Sequence, residues 1–553
     1  MAASPPRPAW WPVQPCFLSS IPPGRVLERA CARYFPILDS KAPRGASSFG
    51  AVFREMTPAL FVSCFITALL NMLFGFDTTS FAGVQSIPAF GRQFGTPIGP
   101  NGAYQLSASR ASFMSSIGFA GKFVGTLTAP LLIERIGHRL TIWVLCTITF
   151  VGVTVECTSH AVVQFVLGRV VVYYSVGLAE NTSTTYQSEI VPASMRGAIV
   201  GSIQLFIQFG QIFSSGINQR FSTGTQSKDW IIPVAVQAAV PVIIVFGTIF
   251  IPSGPRWLIG KGRKDDAIRT LERVRPRGDT DAGHCQAEAD AIQEAMEGKT
   301  EKGPWLDLFR GSNFRRTSVA TVVFIFQQFT GQGFVSQYSP RFYKTIGLGE
   351  HAFEYNIASS TVAWAGVFIG MLLVDSLGRR NLLIWGAIFQ AIFLFSMAGV
   401  GIKKNPSASD ARGLVACVML FNFFFCGTWA PIAYVIGSEI GTGSLREKTM
   451  AFASTINVVA AWLVAFCVPY LIDAIGANIG WLFGGFSVLA TLYAYFCVPE
   501  IMNRSLEELD ELFENHVPAP RFASTQTHGA ARRIAELENQ RCWGQTQRPG
   551  PGA

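Results

Sequence analysis

Of 553 residues only 14% are Asp, Glu, Lys or Arg, while 49% are hydrophobic. A soluble chain carries about a quarter charged residues, so lipid is the expected solvent for much of this one. The net charge of +9 does not point to nucleic acid, because the basic residues gather at the ends of apolar runs, where the positive-inside rule puts them.

Met1–Ser48 is Pro-rich and lacks a clean apolar core with a cleavage site, so residues 1–56 are expected as a cytoplasmic tail. A helix needs about 20 mostly apolar residues to cross a bilayer core of about 30 Å. An open strand would leave its amides unpaired in lipid, so helices are the expected form. The first such run is Thr57–Phe76, followed by weaker runs near 111–133, 140–158, 162–188 and 197–219, and then Trp230–Pro255. Residues 254–316 form a basic linker in which Lys264–Val274 and Gln286–Gly298 suit short amphipathic helices. Further runs follow at Thr317–Pro340, Tyr355–Val374, Asn381–Ile402, Gly413–Ser438, Thr449–Ile472 and Ala474–Pro499. The expectation is an all-α membrane protein of about twelve spans. Its halves are 57–253 and 317–500, and 501–553 is a cytoplasmic tail. Basic residues follow the even-numbered spans, which places those loops and both termini in the cytoplasm, although the loop at Lys403 and Lys404 falls outside. The eleven cysteines form no C-x-x-C pair and read as packing residues.

The chain repeats itself. Glu134-Arg135-Ile136-Gly137-His138-Arg139 after span 2 matches Asp375-Ser376-Leu377-Gly378-Arg379-Arg380 after span 8, 241 positions on. Glu189 and Arg196 at the end of span 4 match Glu439 and Arg446 at the end of span 10, 250 positions on. Two such spacings, repeated in order at matching span ends, make the chain two copies of a six-span unit. Parallel halves enclose a central path with a solute site near mid-membrane. The charged motif residues Glu134, Arg135, Arg139, Glu189, Arg196, Asp375, Arg379, Arg380, Glu439 and Arg446, with Glu500, are expected to form a cytoplasmic gate between the halves.

Charges inside a bilayer are costly and mark function by default. Asp77, Arg169 and Glu180 are the clear cases, while Lys122 is expected to snorkel. Arg169 and Glu180 are eleven residues apart, three turns plus about 20°, and so share a helix face about 16 Å apart. Glu189 faces elsewhere, toward the gate. Side-chain amides both donate and accept, which suits hydroxyl-rich solutes. Gln204, Gln208 and Gln211 share one face of span 5, and Gln327, Gln328, Gln332 and Gln337 crowd span 7.

Several phrases together resemble the sugar-porter branch of the major facilitator superfamily. They are Gly75-Phe76-Asp77, Gly168-Arg169, Tyr186-Gln187-Ser188-Glu189-Ile190-Val191-Pro192 with Arg196-Gly197, Pro252-Ser253-Gly254-Pro255-Arg256-Trp257-Leu258, Gln327-Gln328-Phe329-Thr330-Gly331, and Pro499-Glu500 with Leu506-Glu507-Glu508. The resemblance runs from about residue 57 to 513. It implies alternating-access transport of a sugar or sugar-like solute, by proton symport at the plasma membrane through Asp77 and Arg169, with Glu180 as a competing partner. It maps Gln204, Gln327, Gln328 and Asn457 onto sugar-binding positions. Departures recolour the pocket: Gly333 stands where the family's span-7 Asn does, Gln337 for the first Tyr of a pair, Tyr434 for the span-10 Trp, and Val458 for the aromatic after Asn457. Alternatives are a transporter of a ring acid or secondary metabolite, and a nutrient sensor. No metal-ligand cluster, phosphate-cradling loop or nucleophile motif appears, so neither an enzyme nor a cofactor is expected. A monomer is compatible with this reading.

Overall fold

The computed structural model describes residues 56–98, 103–191, 196–276, 283–297, 304–345, 347–403, 407–441, 445–502, 504 and 506–525. Eight of its helical segments are long and apolar enough to cross a bilayer. Two of these, Ala108–Cys157 and Lys448–Phe496, have 50 and 49 residues. Each would run about 75 Å as one helix, so each holds two crossings. They break at Gly137 (φ 81°) and Gly476 (φ 53°), respectively.

Two more helical units complete twelve spans. Span 5 is Arg196–Arg220; span 7 is Gly311–Phe329 followed by Gln332–Thr345. Both are less apolar than the others, because glutamines interrupt them. The remaining spans are 1 (Pro58–Val84), 4 (Val162–Ile190), 6 (Lys228–Gly247), 8 (Ala352–Leu377), 9 (Arg379–Gly401) and 10 (Ala408–Gly427 with Trp429–Glu439). Span 11 is Arg446–Ile475 and span 12 is Ile479–Phe496. The expectation of continuous spans 7 and 10 is corrected by breaks at Thr330-Gly331 and Thr428.

The repeat is visible in the backbone. Gly137 has φ 81° and ψ 167°, and Gly378 has φ 84° and ψ 158°. Side chains rarely adopt that left-handed region, so the same residue type turns the chain at the same place in each half. Packing repeats too. A Cβ on Gly125 of span 2 would lie 2.2 Å from the carbonyl oxygen of Tyr174 in span 4. On Gly366 of span 8, 241 positions on, it would lie 2.4 Å from that of Phe423 in span 10. Small residues at these crossings let backbones touch where lipid supplies no hydrophobic drive.

The linker carries helices Pro255–Gly260, Lys264–Val274 and His284–Glu297. It is fastened to the bundle by Arg275, whose Nη1 donates to the Ile190 carbonyl at 2.7 Å, and by Thr57, whose hydroxyl donates to the Val274 carbonyl at 2.9 Å. Part of the expected C-terminal tail is docked. Helix Leu506–Glu514 buries Leu509, Leu512 and Phe513, and its Asp510 pairs with buried Arg316 at the start of span 7.

The halves are tied at the end opposite the linker, the far end. There Gln85 Nε2 donates to the Gln337 carbonyl at 2.8 Å and Asn356 Nδ2 to Ser215 Oγ at 2.8 Å. Lys344 donates to the Ser86 carbonyl, and Ser112 to the Phe466 carbonyl.

Overpacking a tight crossing costs about 1–3 kcal/mol or more. Gly125→Leu is therefore expected to lower the melting temperature of purified protein by several degrees. Gly216→Ala, where an added Cβ meets nothing within 4 Å, is expected to cause no loss. Equal melting curves for the two variants would remove the close crossing as a stability determinant.

Candidate functional site

Three groups of polar side chains lie inside the bundle, and a fourth rims its linker end. The group nearest the far end joins spans 1, 3 and 4. Asp77 sits two turns before the end of span 1 and Arg169 two turns into span 4, so antiparallel helices bring them level. Arg169 Nη2 donates to Asp77 Oδ2 at 3.4 Å and to the Tyr173 hydroxyl at 3.1 Å. The guanidinium lies 4.0 Å over the Phe81 ring, so aromatic faces replace part of its lost hydration. Glu156, near the end of span 3, is only 1% exposed and lies within electrostatic reach of both Asp77 and Arg169.

The second group corrects two expectations. Glu180 pairs with Lys122, Nζ to Oε1 at 2.8 Å, and not with Arg169. Lys122 does not snorkel: its side chain is 6% exposed and its ammonium lies 3.9 Å over the Phe74 ring. Span 2 inserts a lysine beside Glu180. Glu180 is also within electrostatic reach of Tyr434 across the bundle in span 10.

The third group is an amide network in the second half. Gln327 Nε2 donates to the carbonyls of Trp429 and Ala430 at 3.3 and 3.0 Å. Those carbonyls open the second segment of span 10, so the amide fastens span 7 to span 10 just past the break. Asn457 Nδ2 donates to Gln327 Oε1 at 2.8 Å and to the Phe324 carbonyl at 3.0 Å. Gln328, partly exposed, reaches Asn457 Oδ1 and Gln327 Oε1 at 3.4 Å each. Tyr434 stands edge-on to Phe324, centroids 5.1 Å apart.

The other amides are dispersed. Gln208 Nε2 donates to Cys426 Sγ across the halves at 3.2 Å, Gln211 is buried, and Gln204 is partly exposed. Gln337 is buried at the far-end closure, where its carbonyl takes the Gln85 bond. Gly333 has a physical reason to lack a side chain: a Cβ there would lie 2.9 Å from Val464 Cγ1.

At the linker end the repeat continues in acids that face basic side chains. Arg379 Nε lies 3.8 Å from Glu439, and His138, the matching position, has Nε2 4.0 Å from Glu189. Sequence reading had weighed Arg139, partly exposed, rather than His138; Glu134 and Arg135 are exposed. Glu500 accepts from the backbone N–H groups of Arg379 and Arg380 at 3.0 Å each. It caps the start of span 9, where the helix dipole favours an anion. Arg380 Nη2 donates to the Tyr495 carbonyl at 2.6 Å. The side chains of Arg196, Asp375 and Arg446 lie outside the described residues.

Sequence reasoning missed Glu156, Tyr173 and the partner of Glu180. Glu156 stands two residues from the end of the run 140–158, where an acid reads as a boundary residue. The signal that could have found it is Gly168. An added Cβ there would lie 2.6 Å from Glu156 Cγ, so the small residue before Arg169 makes room for the acid.

An all-helical bundle of two repeated halves, with charged pairs and amides kept inside, defines a major facilitator transporter. The family described as sugar (and other) transporter matches residues 63–513, and the chain belongs to it. It is a transporter family, not one of enzymes. Hexose transporter HXT10 of Saccharomyces cerevisiae is 30% identical over 467 residues, covering 82% of this chain and 85% of that protein. The major facilitator-type transporter ecdD of Aspergillus rugulosus is 29% identical over 496 residues, covering 86% and 91%. The proton:xylose symporter XylE, solved with 6-bromo-6-deoxy-D-glucose, superposes with a TM-score of 0.69 at 24% identity, over 82% of this chain and 99% of that one.

Removing one partner of a buried ion pair costs about 3–5 kcal/mol, whereas replacing both by apolar groups is often neutral. Lys122→Met and Glu180→Leu are each expected to destabilise the purified protein, and the double variant to recover most of the loss. Additive losses in the melting temperatures would mean that the two residues do not act as a pair.

Proposed function

We propose that the chain moves a polyhydroxylated, sugar-like solute by alternating access and couples that movement to protons. The observation that carries the reading is the buried Asp77–Arg169 pair, joining spans 1 and 4 at 3.4 Å with both side chains about 2% exposed. A desolvated pair is weak evidence of stability, so a working role accounts for it better. Arg169 keeps its charge at any accessible pH and favours the ionised form of Asp77 while the two touch. Parting them in lipid favours the neutral form. A conformational change that opens the pair thus exchanges a proton, and a solute that prefers one conformation is linked to that exchange.

Gln328, Gln327 and Asn457, with Tyr434 beside them, are the proposed solute-binding wall, with Gln204, Gln208 and Gln211 on the opposing half. Gln328 is the best direct contact, because it is partly exposed while Gln327 and Asn457 also brace the backbone. The pairs Arg379–Glu439 and His138–Glu189, with the neighbouring basic residues, are the proposed cytoplasmic gate. The 254–316 linker and both tails are assigned to that same side, and the membrane to the cell surface.

A second reading, a solute other than hexose, is favoured by two observations. Val464 fills the space beside Gly333, where the family's amide would stand. The Lys122–Glu180 pair also puts a carboxylate within electrostatic reach of Tyr434. Proteoliposome uptake of a panel of hexoses, polyols and polyhydroxylated acids separates the two readings.

Asp77→Asn is expected to abolish uphill accumulation under an imposed pH gradient while leaving downhill exchange measurable. Unmutated protein that ignores the gradient would be a facilitator. Gln328→Ala is expected to weaken apparent affinity about tenfold, since losing a partner in a shielded site costs about 1–3 kcal/mol. Unchanged affinity would remove Gln328 from the wall.

A further inference from the structure

The far-end cluster contains one group more than an ion pair needs. Asp77 and Glu156 are each 1% exposed and Arg169 is 2% exposed. The three come from spans 1, 3 and 4. Arg169 is bonded to Asp77, yet its Nε has no acceptor, and Glu156 Oε1 has no donor. A free donor and a free acceptor are thus buried in the same place. Glu156 lies against the span-4 backbone at Gly168, the residue before Arg169.

We propose that Asp77 and Glu156 share one proton, and that Arg169 pairs with whichever of them is ionised. The proton's position then decides whether span 1 or span 3 is tied to span 4.

Charge counting supports this. Arg169 stays positive. Two ionised acids would leave the cluster one charge negative inside a bilayer, which is costly. One bound proton makes it neutral, and like-charged carboxyls in one site do not both ionise readily. The other titratable groups facing the cluster are Tyr173, whose hydroxyl accepts from Arg169, Cys157 beside Glu156, and Tyr338 of span 7 within reach of Arg169. Gln237 of span 6 also reaches Asp77. None of these brings a second cation, so among the described residues the balance rests on the two acids.

In the conformation seen, Asp77 holds the guanidinium and Glu156 holds the proton. The exchange step moves that proton from the Glu156 carboxyl to the Asp77 carboxylate. The guanidinium moves the opposite way, from Asp77 to the new Glu156 carboxylate. Charge is conserved, no bond beyond O–H is made or broken, and span 1 is released. Coupling to a gradient follows when one acid loads from one side of the membrane and the other unloads to the opposite side. That last role rests on the proton-coupled reading above; the shared proton itself does not.

Infrared spectra of the full chain in lipid at neutral pH test the sharing through the carbonyl band of a protonated, buried carboxylic acid. The unmutated protein is expected to show the band and Glu156→Gln to lose it. Asp77→Asn is expected to lose it too, because Arg169 is then left to draw Glu156 into its ionised form. Glu156→Asp should retain it. No band in the unmutated protein, or a band that survives Glu156→Gln, overturns the proposal. A band that survives Asp77→Asn shows a proton fixed on Glu156 and not shared, and also overturns it. Should Glu156→Gln fail to fold, the Asp77→Asn spectrum alone decides. Transport that ignores a pH gradient, alongside the expected band pattern, sinks the symport reading and leaves the shared proton standing.

Discussion

A polar group in a bilayer has no water to fall back on, and that constraint organises this protein from the backbone outward. Every charge inside the bundle must find a partner within the chain, and neutral polar groups are under the same pressure. Arg169 is held by Asp77, Tyr173 and the Phe81 ring. Lys122 is held by Glu180 and Phe74. The carbonyls beside the span-10 break are held by Gln327. Each arrangement joins helices that are distant in sequence, so satisfying polar groups and fixing tertiary structure are the same act.

Duplication lets the chain meet that constraint twice with one plan. The glycine turns at 137 and 378, the close crossings at 125 and 366, and the basic side chains facing Glu189 and Glu439 occupy matching places. The copies diverge in their polar interiors. The buried Asp77–Arg169–Glu156 cluster belongs to the first half, and the Gln327–Gln328–Asn457 network to the second. The interior of the first half thereby holds the charged clusters, and that of the second the amide network.

The fold was legible because hydropathy and repeat spacing are properties of the chain alone. Ten spans announce themselves by apolar length, and the glycine and charge motifs order them. The site was legible in part. Asp77 and Arg169 stand out because a charge deep in an apolar run has few explanations. Glu156 did not, since its run ends two residues later and depth cannot be judged from one helix. Glu180 was seen but given the wrong partner, because a shared face on one helix says nothing about what a neighbouring helix presents. Gln337 was grouped with the binding amides by span, although the break at Gly331 puts it on a separate helix that closes the far end.

The glutamines that thin the hydropathy of spans 5 and 7 also bear on how the protein is made. A segment enters the bilayer from the translocon according to its own transfer free energy, and central polar residues count against it. Arg196–Arg220 and Gly311–Thr345 are the segments least able to partition alone. They gain their stability only beside spans 1 and 8, or 11, which they pack against. Their insertion therefore depends on neighbours already in place, and for span 7 the chief neighbour is synthesised later. The polarity that suits a solute path makes biogenesis cooperative, so substitutions there can lower the yield of inserted protein without touching any step of transport.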